Sequence, residues 1–88
     1  MLRILEVTSF KRDMKRLKRG RFDFSKLSII ILKLAKKEKL EAKYSDHALT
    51  GNWKGHRECH IAPNWLLIYK IKDNDLLLIR TGSHSELF

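Results

Sequence analysis

The chain has 88 residues, with 19 Lys and Arg against 10 Asp and Glu, and a formal net charge of +9. This length makes a single domain, residues 1–88, with a thin core, and it leaves no room for a doubly wound dinucleotide fold or a barrel. At 43% apolar residues the sequence is one that folds. No apolar run approaches the roughly 18 residues of a membrane span, and Glu6 breaks the stretch a signal peptide would need. The single cysteine, Cys59, excludes an internal disulfide and a multi-cysteine zinc site. A reducing, cytoplasmic setting is the expectation.

Leu2 to Thr8 alternates apolar and polar residues and reads as a strand. Thr8 or Ser9 is placed to cap a following helix, on which Phe10, Met14 and Leu17 form an apolar stripe. Gly20 is expected to end it in a left-handed conformation. Asp23 or Ser25 opens a second helix with Leu27, Ile30, Ile31 and Leu34 on one face. The β-branched run Ile29 to Ile31 would suit a strand, but the helical period persists into Leu34 and Ala35. Residues 38–55 read as a long ordered loop, a length that usually serves a function. Three strands follow, from His56 to Ala62, Trp65 to Ile71 and Leu76 to Thr81. Pro63-Asn64 and Lys72 to Asp75 provide the turns. The expected fold class is α+β, in the order β-α-α-β-β-β, with two helices on one face of a small antiparallel sheet.

The charge is unevenly spread. Residues 1–44 hold fourteen Lys and Arg against five Asp and Glu, whereas residues 45–88 are neutral with five of each. The dense stretch from Lys11 to Arg21 is either a solvated helix face or a surface for a polyanion or an acidic protein. All four histidines lie in the neutral half. Strand alternation puts Cys59 and Ile61 toward the helices, and would let His60 and Arg80 meet on the uncovered face. His84 follows just beyond. Imidazoles beside a guanidinium suit RNA cleavage. A base takes the 2′-OH proton, an acid protonates the leaving 5′-oxygen, and a fixed cation stabilises the phosphorane. The same histidines could equally be ordinary surface or hydrogen-bonded residues. A metal is disfavoured, because His56 and His60 on one strand stand roughly 13 Å apart. Gly51 to Gly55 lacks the spacing of a phosphate loop.

Asp46-His47-Ala48-Leu49-Thr50-Gly51-Asn52-Trp53-Lys54-Gly55, then Arg57 to Tyr69, then Arg80 to Phe88, resemble the YafQ branch of the RelE/ParE toxin superfamily. The matching segments all lie within residues 46–88, about half the chain. The resemblance implies a toxin of a type II toxin–antitoxin pair: an mRNA interferase, acting on the ribosome without metal or other cofactor. It implies a cognate antitoxin, contact with operator DNA only through the antitoxin complex, and no membrane. Carried over by position, it makes His47, His60, Arg80 and His84 catalytic, with Arg80 on the phosphate and His84 first in proton transfer. Trp65, Phe88 and Lys54 become substrate-binding residues. One position departs: Asn64 stands where the family has an acid before the tryptophan, so a scheme needing a carboxylate there cannot run. The competing reading is a ParE-like toxin that binds nucleic acid or protein without catalysis.

Overall fold

The computed structural model describes residues 1–88. A first strand, β1 (Arg3–Glu6), leads into helices α1 (Thr8–Leu17) and α2 (Phe24–Ala35). Two-residue β2 (His47–Ala48) precedes the long strands β3 (Arg57–Ala62), β4 (Trp65–Lys72) and β5 (Asp75–Gly82). A final turn of helix, α3 (His84–Leu87), completes the chain. No helix is long and apolar enough to cross a membrane.

The strands form one five-stranded sheet in the order β1-β5-β4-β3-β2. The α+β class and the two helices on one face hold, but the sheet is mixed rather than antiparallel. β1 runs parallel to β5, with Arg3 opposite Asp75 and Glu6 opposite Leu78. The connection between them runs through both helices and then β2, β3 and β4, residues 7–74, well beyond the dozen or so residues a parallel pair requires. The 38–55 segment is also more structured than expected. It holds β2, antiparallel to β3, and short 3-10 turns at Ala42–Tyr44 and Gly51–Trp53.

The sequence periods explain the core. Phe10 and Leu17 of α1 and Leu27, Ile30, Leu34 and Ala35 of α2 pack on Cys59, Ile61, Trp65, Leu67, Tyr69, Leu76 and Leu78. Ile29 to Ile31 is helical, because a strand would have lost the Leu27–Leu34 stripe. Fully burying each large side chain contributes about 1.5–3 kcal/mol. Burial pushes the Cys59 thiol up to about 12, which leaves it an inert packing residue.

Local signals were partly misleading. Asp23 does cap α2, accepting from the Ser25 amide. Neither Thr8 nor Ser9 caps α1: Val7 occupies the cap position without a side-chain bond, and the Ser9 hydroxyl donates to the Ile79 carbonyl at 2.7 Å instead. Gly20 is not left-handed. A methyl there would lie 2.9 Å from the Phe22 ring, so the glycine makes room for an aromatic that packs on Trp65.

Candidate active site

The sheet face away from α1 and α2 is not bare. Leu66 and Ile68 of β4 are buried there beneath Leu87 of α3, with Leu49, Trp53 and Ile79 at the margins. The 47–56 segment and α3 therefore rise from the floor as two walls. Backbone register sets the residues in rows. His47 pairs with Glu58, Glu58 with Ile68, and Ile68 with Arg80. In the neighbouring row His60 pairs with Leu66, and Leu66 with Gly82.

Arg80 is turned by an irregularity in β5. Pairing slips between Ile68 and Tyr69, which face Arg80 and Leu78, so Ile79 is the extra residue. A bulge of this kind re-aims the side chain that follows it. Arg80 thereby leaves the buried Leu76–Leu78 face. Its Nε donates to Asp13 Oδ2 at 2.6 Å and its Nη2 to Asp13 Oδ1 at 3.1 Å. Asp13 also accepts from the Thr81 amide (3.0 Å) and from Arg16 Nη1 (2.9 Å). Burial on its own would raise the Asp13 pKa, but the bonds from Arg80, Thr81 and Arg16 outweigh it and hold the carboxyl below its ordinary value. The same bond raises Arg80 above the ordinary arginine value. The expected meeting of Arg80 with His60 on an open face is thus corrected. Their backbones stand two strands across and two residues along, roughly 12 Å apart by sheet spacing. They flank the floor without touching.

The imidazoles gather around a carboxylate. Glu58 has a side chain only 6% exposed, and its Oε1 lies 3.4 Å from His60 Nε2 and 3.8 Å from His47 Nε2. His47 Nδ1 is 2.7 Å from the Ser45 carbonyl, so it carries the proton. Asp46, next to His47, accepts from Tyr69 Oη at 2.6 Å and from Arg57 at 3.3 Å, which pins this segment to the sheet. The Tyr69 hydroxyl is held protonated, first by burial and then by that bond. Strand alternation sets Glu58 on the same face as His60, but alternation gives a face and not a contact, so its place between two imidazoles is not legible in the sequence.

On the other wall, Ser83 and Glu86 form a reciprocal capping box that starts α3 at His84. The His84 and Phe88 rings lie 5.0 Å apart, and Phe88 is 50% exposed. Trp53 meets Phe88 edge-on at 6.0 Å and His56 at 5.4 Å, joining the two walls. Lys54 is exposed beside Trp53. Trp65, expected to touch substrate, is 3% exposed. It packs edge-on against Phe22 and Phe24 and donates to Thr81 Oγ1 at 2.9 Å. It shapes β5 from below and offers no face to a base. Asn64 sits exposed in the β3–β4 turn. No three His, Cys, Asp or Glu side chains are grouped as metal ligands.

The two-helix, mixed-sheet domain is one this chain shares with a class of small bacterial toxins, as comparison with known proteins shows. Residues 2–88 match the family model described as the bacterial toxin of type II toxin–antitoxin system, YafQ. The chain belongs to that family. It is 40% identical over 80 residues to the mRNA interferase toxin YafQ of Escherichia coli K12, covering 90% of this chain and 87% of the relative. Among solved structures, a copper-bound mutant toxin from Helicobacter pylori superposes with a TM-score of 0.96 at 50% identity, over 100% of both chains. YafQ of the E. coli DinJ–YafQ complex superposes at 0.90 with 37% identity, covering 100% of this chain and 99% of that one.

Proposed function

We propose that this protein is an mRNA interferase: an endoribonuclease toxin that cleaves ribosome-bound mRNA in the cytoplasm and is silenced by a cognate antitoxin. The observation that carries this reading is the Asp13-clamped Arg80, facing imidazoles across an apolar floor. His60 has its Nε2 toward Glu58, which leaves Nδ1 to take the 2′-hydroxyl proton. The freed 2′-oxygen attacks phosphorus, and negative charge grows on the non-bridging oxygens. Arg80 meets that charge without reorganising, because two of its nitrogens are already anchored. His84 gives its proton to the departing 5′-oxygen, so the products are a 2′,3′-cyclic phosphate and a 5′-hydroxyl. His47 supports Glu58 and the positioning of the 2′-hydroxyl. Phe88 stacks an unpaired base, and Lys54 adds a backbone contact. These steps use protein groups alone, with no metal or cofactor.

The antitoxin is a partner of the E. coli relative in its DinJ complex. For this chain, an acidic segment laid along the exposed lysines of α1 is the matching chemistry. Operator DNA is reached through that complex. Charge reversal at Lys15 and Lys18 is expected to weaken antitoxin binding and flatten its salt dependence. Unchanged binding would place the antitoxin elsewhere. Cleavage is tested on programmed ribosomes with wild type and with His47, His60 and His84 all replaced by alanine. Equal toxicity of the two proteins would favour the non-catalytic, ParE-like alternative.

A further inference from the structure

Arg80 lies at a sheet edge with an unusual completion. β1 pairs with β5 only as far as Leu78. Beyond it, Ile79 to Gly82 has no strand on that side. An exposed edge presents unpaired amides and carbonyls, and here α1 satisfies them with side chains at helical spacing. Ser9 Oγ donates to the Ile79 carbonyl at 2.7 Å, Asp13 Oδ2 accepts from the Thr81 amide at 3.0 Å, and Arg16 Nη2 donates to the Thr81 carbonyl at 3.3 Å. Residues 9, 13 and 16 share one face of a helix.

This seam opens into a surface cavity of about 260 Å³ lined by five residues, all polar: Ser9, Arg12, Asp13, Arg16 and Arg80. Three are guanidinium groups around one carboxylate. Both oxygens of Asp13 are already covered by Arg16, Arg80 and the Thr81 amide, which screens its charge from an incoming anion. Glu86 takes Arg16 Nε at 2.9 Å. The Arg12 side chain makes no hydrogen bond or ion pair within the chain and is exposed at the rim. A surplus positive charge and unused N–H donors remain, held in place by groups already fixed. Guanidinium is the group best matched to phosphate oxygens.

We infer that this cavity binds a second backbone phosphate of the RNA, adjacent to the scissile one, with Arg80 lying between the two. The inference rests on the RNA-cleaving reading above. Arg12 is its principal ligand-binding residue, and the phosphate fixes the register in which the strand enters the site. It also gives part of the basic first half of the chain a specific task.

The test uses mRNA in programmed ribosomes, carrying a single neutral methylphosphonate at each position near the cleavage site, with wild type and Arg12→Gln. In wild type, one neighbouring neutral linkage is expected to raise KM about tenfold with little change in kcat, the cost of one charged contact. Arg12→Gln should raise KM by a similar factor and lose nothing more at that linkage. Its salt dependence should fall by about one ion. Arg12→Gln with wild-type KM, or both proteins equally impaired by every neutral linkage, would overturn the inference while leaving the activity intact. Loss of antitoxin binding by Arg12→Gln without loss for mRNA would also overturn it, assigning the cavity to a carboxylate. Wild type that cleaves no mRNA at all would overturn the activity reading together with it.

Discussion

The two walls of the site are built differently. On the Arg80 side, a buried carboxylate accepts four hydrogen bonds, and α1, β5 and α3 are tied together through Asp13, Arg16 and Glu86. On the histidine side, Glu58 is nearly as buried but makes only longer contacts, at 3.4 and 3.8 Å, to imidazoles that are partly exposed. The difference fits the division of work proposed above. A group that stabilises charge gains from being fixed before the charge appears. A group that passes protons must be able to reach substrate and exchange with solvent.

The largest effect that would break this contrast is at Asp13. Asp13→Ala leaves Arg80, Arg16 and the Thr81 amide without their acceptor, and is expected to destabilise the fold by about 3–5 kcal/mol in urea unfolding. Asp13→Asn keeps the shape and one acceptor oxygen of the carboxylate. It should fold, lower kcat about tenfold and leave KM nearly unchanged, as a positioning residue for Arg80 would. A variant with normal kcat would mean that Arg80 needs no clamp. Next in size is Glu58→Gln, expected to lower single-turnover cleavage about threefold to tenfold while unfolding as wild type does. A hundredfold loss would show that Glu58 itself transfers a proton.

The clamp also predicts a pH dependence. The folded-state pKa of Asp13 lies below its unfolded value. Its contribution is therefore complete above about pH 4 and is lost as pH falls further through the folded value. Thermal melts across that window should show wild type losing more stability on acidification than Asp13→Asn. Parallel curves would contradict the clamp. Trp65→Phe removes the bond to Thr81 Oγ1 and should cost about 1 kcal/mol, with little effect on KM. A large rise in KM would instead put the indole on the substrate. The smallest expected effect is at the exposed Arg3–Asp75 pair, where Arg3→Ala should leave the melting temperature unchanged.

What the sequence revealed follows the reach of its signals. Periodicity located α2 through the β-branched run, because Leu27, Ile30 and Leu34 repeat at helical spacing. Alternation put Cys59 and Ile61 in the core. The parallel pairing of β1 with β5 was not legible, since alternation marks faces and says nothing of neighbours. For the same reason the sequence does not show Glu58 as the link between His47 and His60. Arg80 does lie on the uncovered face, but it is the bulge at Ile79 that turns it there, away from Leu76 and Leu78, and no residue in the sequence announces that bulge. Asp13 lies within the charged stretch from Lys11 to Arg21, where little in the sequence marks it as buried, yet it is 2% exposed. A lone acid amid basic residues on an amphipathic helix was the available hint. α3 is not legible as a helix because four residues carry no period, though Ser83 and Glu86 spell its capping box.

The central claim is that Arg80, held ready by α1, stabilises the transition state of RNA cleavage. It is tested most directly by single-turnover cleavage of mRNA in programmed ribosomes by wild type and Arg80→Ala, each first shown to be folded and to bind antitoxin. The account predicts a loss of about a hundredfold or more in Arg80→Ala, with the wild-type product ending in a 5′-hydroxyl. Cleavage by Arg80→Ala at the wild-type rate would contradict it.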